Sequence, residues 1–218
     1  MDEIVLSYEN YVIRSSDIAL LKTETSWIND VIIGFYFDYL NEKYKNSTTR
    51  MLFIGPELTQ LLKMQDSMVH ELLESLETTN YDYVFFAVNN CETNTAGGSH
   101  WSLLIFSRNE TGFFHYDSMR YTNRLSARML MKRLIDYFLP NQPNQQSMYV
   151  EVSSPQQNNS YDCGLYVLCV ADVAIEYILE NSNLIKCLYT TVPNLVLKKR
   201  DNLLSLIYSL RDDIPLTT

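Results

Sequence analysis

The sequence has no apolar run long enough to cross a membrane. Its longest, Cys163 to Ala171, is fenced by Asp162 and Asp172, whereas a bilayer takes about twenty consecutive apolar residues. It has no basic leader: the opening MDEIVLSYEN carries acids where a signal peptide needs positive charge followed by an apolar stretch. Basic residues are in deficit, 17 Lys and Arg against 26 Asp and Glu, for a net charge of −9. Nucleic-acid binding relies on cations that neutralise phosphates, so the composition argues against that class of partner. Cys91, Cys163, Cys169 and Cys187 form no CxxC pair, and there are 3 histidines, none spaced like a zinc finger. Neither a disulfide framework nor a metal is expected, and a reduced intracellular compartment, cytoplasmic or nuclear, fits best. Internal repeats and long low-complexity stretches are missing too. The hydrophobic fraction of 46% does supply a real core, and the expectation is one domain over residues 1–218.

Helical periodicity opens the chain. In SWINDVIIGFYFDYLNEKY the apolar residues Trp27, Ile28, Val31, Ile32, Phe35, Tyr39 and Leu40 recur at three- and four-residue steps. Ser26 reads as the N-cap. Pro56 starts a second helix, GPELTQLLKM, and residues 66–76 read as a third. The middle of the chain changes to aromatic and β-branched runs of strand length: YDYVFFAVN (81–89), HWSLLIFS (100–107) and GFFHYDS (112–118). A helix at 127–139 and a strand at 148–153 follow. CGLYVLCVADVAIEYIL is apolar almost all round, as a helix at the domain centre would be, and VLKKRDNLLSLIYSL is amphipathic again. The polar segments 41–50 and 140–147 read as loops. Strands clustered between helices predict an α+β domain around an antiparallel or mixed sheet.

Cys163 is the strongest candidate for chemistry. In PQQNNSYDCGL a polar loop leads into a cysteine at the start of the central helix. A thiol there meets the positive end of the helix dipole, which favours the reactive thiolate. Gly164 is expected to leave space for a substrate beside the sulfur, and the amides of Gln156 to Asn159 offer donors for a developing oxyanion. Cys169 and Cys187 read as buried structural thiols and Cys91 as a loop residue. His100 follows a loop with two glycines, and Asp117 ends a strand. Taken alone, each has a better structural reading, as a strand-edge histidine and a turn-initiating acid. His115 shares a strand face with Asp117 but ranks below His100, because a pair within one strand leaves no separate place for a nucleophile. Together, His100, Asp117 and Cys163 supply base, orienter and nucleophile, and Gln157 an oxyanion donor.

GGSHWSLLIF, FFHYDSM and PQQNNSYDCGLYVL resemble the signature blocks of the ubiquitin-like-protein-specific cysteine proteases, the sentrin-protease superfamily, in the order His, Asp, Gln, Cys. SYENYVIRSSDIALL, SWINDVIIGFYFDYL and LKKRDNLLSLIYSL are similar to its deneddylase (sentrin-specific protease 8-type) subgroup, so the resemblance covers nearly the whole chain. It implies a papain-like fold and an isopeptidase that removes the neddylation modifier from target lysines, and processes its precursor after the C-terminal diglycine. It assigns Cys163 as nucleophile, His100 as general base and acid, and Asp117 as orienter. Gln157 and the Cys163 backbone N–H would line the oxyanion hole. Trp101 would roof a channel for the diglycine tail, with Trp27 near the site and Asp30 on the modifier-binding face. Core packing is the competing reading for Trp27. Partners implied are the modifier and its conjugates such as cullins, with no cofactor and a monomeric chain. The alternatives are a sumo- or ubiquitin-directed protease of this fold, a related acyltransferase, and a module that binds a modifier without cutting it. No basic or Gly-rich phosphate site supports the acyltransferase.

Overall fold

A computed structural model describes residues 2–65, 67–93, 97–140 and 149–213. The chain opens with a hairpin of β1 (Ile4–Tyr8) and β2 (Tyr11–Arg14), then helices α1 (Ser15–Lys22) and α2 (Asp30–Tyr44). Strand β3 (Met51–Ile54) leads to α3 (Pro56–Met64), α4 (Val69–Ser75) and a short 3-10 turn at Thr78–Asn80. Three consecutive strands follow, β4 (Tyr83–Asn89), β5 (Trp101–Ser107) and β6 (Gly112–Tyr116), then α5 (Arg124–Phe138). The short β7 (Tyr149–Glu151) precedes α6 (Cys163–Asn181) and α7 (Val192–Asp213).

Strands β3 to β7 form one sheet in sequence order. β4, β5 and β6 pair antiparallel, while β3 and β7 add to the edges in parallel, which makes the sheet mixed. Alternation along the central strands divides the core in two. Tyr83, Phe85, Leu103, Ile105 and Phe114 face one side with α2, α6 and α7. Val84, Phe86, Leu104, Phe106 and Phe113 face the other with α3, α4 and α5. Both faces of the middle strands are covered, which is why their sequences read as unbroken apolar runs. Helix α6 is buried along most of its length on the first face, from Cys163 to Ala171 and on to Ile178. Burying each of its Leu, Val and Ile side chains stabilises the fold by about 1.5–3 kcal/mol before entropy is counted. The fold is α+β, with helices on both sides of a mixed sheet, as expected.

Two expectations need correction. Helix α2 starts at Asp30 and its N-cap is Asn29, not Ser26. The Asn29 carboxamide oxygen accepts the Ile32 N–H at 3.0 Å and its Nδ2 donates to Asp17 at 2.7 Å. Trp27 and Ile28 therefore lie in extended chain ahead of the helix. The polar segment 41–50 is helical as far as Tyr44, because Asn41 turns inward and brackets Phe53, accepting its N–H and donating to its carbonyl, each at 2.9 Å. Of the second polar segment only Pro140 falls within the described residues.

Candidate active site

Antiparallel pairing of β5 with β6 sets Leu103 opposite Tyr116. The start of β5 and the end of β6 thus lie at one edge of the sheet, which brings His100 and Asp117 together. The His100 Nε2 and Asp117 Oδ1 are 2.6 Å apart, with both side chains buried. Asp117 also accepts the backbone N–H of Met119 at 3.0 Å and of Asn123 at 2.9 Å. Burial alone would push this carboxyl upward; the His100 bond and these two amides outweigh it and hold Asp117 below its ordinary value.

Carboxylate engagement of Nε2 leaves Nδ1 as the ring nitrogen available to another group. Nδ1 is buried and has no hydrogen-bond partner among the described residues. Burial disfavours the imidazolium, but the Asp117 bond first, then the neighbouring Cys163 and the charges of both, prevail and raise His100 to about 9.

Cys163 is the first residue of α6, and only 1% of it is exposed. Its N-cap residue, Asp162, makes no side-chain cap. The Asp162 carboxylate instead accepts from Asn159 Nδ2 at 2.8 Å and faces Arg200 at 3.5 Å. The positive end of the helix is left to the sulfur. Of the upstream amides, Gln156 and Asn159 are engaged in the loop itself. Gln156 donates to the Asp117 and Ser154 carbonyls and accepts from Arg120 N–H, while Asn159 accepts from the N–H groups of Tyr161 and Asp162. Gln157 is held differently. Its Oε1 accepts the Ser118 hydroxyl at 2.7 Å, and its Nε2 donates to the Asn159 carbonyl at 2.6 Å. That fixes the carboxamide plane and leaves the second Nε2 hydrogen without an acceptor among the described residues.

A cleft of about 520 Å³ runs up to His100, lined by Trp27, Asp30, Glu57, Gln60 and Trp101 among others. Trp27 is 45% exposed on its wall, so the core-packing reading does not hold for it. Trp101 also lines a second, very small cavity of about 10 Å³ with Cys163, Ser118 and Tyr166. Trp101 therefore borders both the open cleft and the small cavity beside the thiol. Asp30 is exposed at the head of α2 on the same cleft.

One sequence reading, that of Gly164, changes here. His115 does not pair with Asp117; its Nδ1 bonds Glu151 at 2.8 Å and its Nε2 bonds Ser102 at 2.9 Å. Gly164 does not open space for a substrate. A Cβ there would meet Ile28 Cγ1 at 2.5 Å, so its missing side chain lets the Trp27–Ile28 segment pack against α6. Of the two glycines before His100, Gly98 is the one in a left-handed conformation, φ +88°. The sequence reading also missed Lys63, buried on α3, whose ammonium donates to the Asn89 and Cys91 carbonyls at 2.5 and 2.7 Å. Burial lowers its pKa. It ties down the loop that forms the cleft wall, and nothing in its helical periodicity marked it. Among the described residues no cluster of three or more His, Cys, Asp or Glu side chains could hold a metal ion.

Residues 26–203 match the model of the Ulp1 protease family, C-terminal catalytic domain. The chain belongs to the Ulp1 protease family. Like the rest of that family, it is a cysteine peptidase. It is 36% identical over 215 residues to human sentrin-specific protease 8, covering 96% of this chain and 99% of that protein. It is 31% identical over 223 residues to NEDD8-specific protease 1 of Arabidopsis thaliana, covering 97% and 96% of the two chains. The Ulp1 protease domain solved in complex with Smt3, the yeast ortholog of SUMO, superposes with a TM-score of 0.70 at 20% identity, over 96% of this chain and 89% of that one. Ulp1-type architecture thus extends across the mixed sheet and the buried α6.

Proposed function

We infer that this Ulp1-family peptidase is a deneddylase: it cleaves the isopeptide bond that joins the C-terminal glycine of NEDD8 to a target lysine, and trims the NEDD8 precursor at the same glycine. One observation carries the chemistry. A buried imidazole is bonded to the Asp117 carboxylate at 2.6 Å beside Cys163, and the two raise it to about 9. At neutral pH that ring is an imidazolium, placed for proton transfer with the sulfur.

The Cys163 sulfur attacks the carbonyl carbon of the terminal glycine and the C=O π pair moves onto oxygen. The Cys163 backbone N–H and the remaining Gln157 N–H donate to that oxyanion, each worth about 3 kcal/mol in comparable sites. His100 then passes a proton to the lysine nitrogen as the C–N bond breaks. Water, deprotonated by the same ring, cleaves the thioester and releases the carboxylate. Trp101, bordering the cleft and the small cavity beside the thiol, admits a tail without side chains and obstructs any bulkier one. Trp27 and Asp30 contact the modifier farther out. Relatives named for NEDD8 and for sentrin-specific protease 8 over nearly their full length support this choice of modifier. Cullins as conjugates, a monomeric working form and a reducing intracellular compartment belong to the same proposal.

The test is a panel of NEDD8, ubiquitin and SUMO, each carrying a C-terminal fluorophore. Release from NEDD8 is expected to be fastest by about a hundredfold or more. Preference for SUMO or ubiquitin would reassign the substrate. Activity only with an acyl-donor cofactor would replace hydrolysis by acyl transfer.

A further inference from the structure

Behind the His100–Asp117 pair lies a second polar chain, buried on the same face of the sheet. Asn123, fully buried ahead of α5, donates its backbone N–H to Asp117 Oδ2 at 2.9 Å. Its carboxamide Nδ2 reaches the Val88 carbonyl at 3.0 Å, the His100 carbonyl at 3.2 Å and the Ser102 hydroxyl at 3.0 Å. Ser102 in turn meets His115 Nε2, and His115 Nδ1 meets Glu151. The donors run in one direction. With His115 in the tautomer that gives its Nδ1 proton to the Glu151 carboxylate, Asn123 Nδ2–H donates to Ser102 Oγ and Ser102 O–H to His115 Nε2; the carboxylate also accepts from Tyr149 O–H at 2.7 Å. Arg124 faces the same carboxylate at 3.5 Å.

The orientation of the Asn123 amide is informative. Its Oδ1 is buried without a partner, an arrangement that costs free energy. Two backbone carbonyls and a hydroxyl whose own proton is committed to His115 dictate that Nδ2 faces inward. A hydrophobic residue of similar size would satisfy the packing and avoid the orphan oxygen. The side chain is suited instead to gripping both halves of the pair at once: the Asp117 carboxylate through its main chain, and the His100 backbone through its side chain.

We propose that Asn123 is a positioning residue for the reaction, fixing the distance and angle between Asp117 and His100, and that Ser102, His115 and Glu151 are the chain that locks its amide in place. The proposal rests on the deneddylase reading for its assay. The titratable groups acting on His100 itself are Asp117 at the end of β6 and Cys163 at the head of α6.

The experiment is the pH dependence of kcat/KM for NEDD8-fluorophore hydrolysis by the full chain, wild type against Asn123→Ala. A looser Asp117–His100 bond supports the imidazolium less, so the basic limb near pH 9 is expected to move down by about one pH unit. The accompanying loss in kcat is expected to be about tenfold, with KM changed by less than about twofold because no substrate contact is removed. A side chain that merely stabilised the fold would lower the active fraction and leave the limb where it is. An unmoved limb in Asn123→Ala overturns the proposal. Should that variant not fold, Ser102→Ala removes one anchor of the amide, and a limb that stays at the wild-type pH there overturns it equally. Wild-type chain that fails to cleave the substrate at all would sink the functional reading, and this inference with it. Wild-type cleavage with an unmoved limb would sink the inference alone.

Discussion

Of the four cysteines, Cys163 stands beside an imidazole that a carboxylate holds. Cys169 is buried and pushed up to about 12, which leaves it a neutral thiol at physiological pH. Cys91 lies on the cleft wall beside Thr93, whose hydrogen bonds lower its pKa. Replacing Cys163 by alanine is therefore expected to abolish turnover while leaving NEDD8 binding intact, as read by fluorophore release and by titration calorimetry. Residual turnover in that variant would move the nucleophile elsewhere. Asp117→Asn keeps the shape but loses the charge that supports the imidazolium. Turnover is expected to fall by about 10²–10⁴-fold, and unchanged kcat would remove Asp117 from the site. The pH dependence has a definite sign. His100 rises from 6.5 to about 9 on folding, so its charged form contributes stability fully below 6.5 and loses it as the pH climbs through about 9. Asp117 is shifted the other way; its contribution is present above the ordinary carboxylate value and is lost on acidification. Tm is expected to decline as the pH rises from about 6.5 to about 9, and kcat/KM to decline above about pH 9; flat profiles through those ranges would contradict the imidazolium.

At the scale of elements, the pairing of β5 with β6 and the start of α6 do the assembling. Gly164 is the tightest joint between them and the segment ahead of α2. A methyl group there would strike Ile28, so Gly164→Ala is expected to cost about 1–3 kcal/mol in chemical denaturation. It should also raise KM, because Trp27 moves with Ile28. Equal stability would mean that the joint yields freely. The long central elements were legible in the sequence because burial on both faces writes continuous apolar runs, as in Tyr83–Asn89 and Cys163–Ala171. The hairpin of β1 and β2, helix α1 and β3 were not. Each is short, and β3 owes its place to Asn41, a polar residue that reads as loop but bonds Phe53 on both sides. The motif residues His100, Asp117, Gln157 and Cys163 were legible as a set, while His100 and Asp117 taken alone favoured a structural reading and Cys163 stood out by its context. Asn123, Ser102 and Lys63 left no trace because a buried polar residue satisfied by carbonyls or other buried polar groups produces no periodicity.

Across the whole molecule, the sheet separates two cores, and the site opens where the edge of the sheet meets the α6 terminus. The cleft that leads there carries Asp30 and Glu57 on a chain of net charge −9. A glycine-terminated modifier is expected to reach the Cys163 sulfur and no other. The most direct measurement is mass spectrometry of the full chain after incubation with NEDD8 whose C-terminal carboxyl is replaced by a thiol-reactive electrophile. A single adduct mapped to Cys163 is the expected result; an adduct on Cys91, or none on a folded chain, would contradict it.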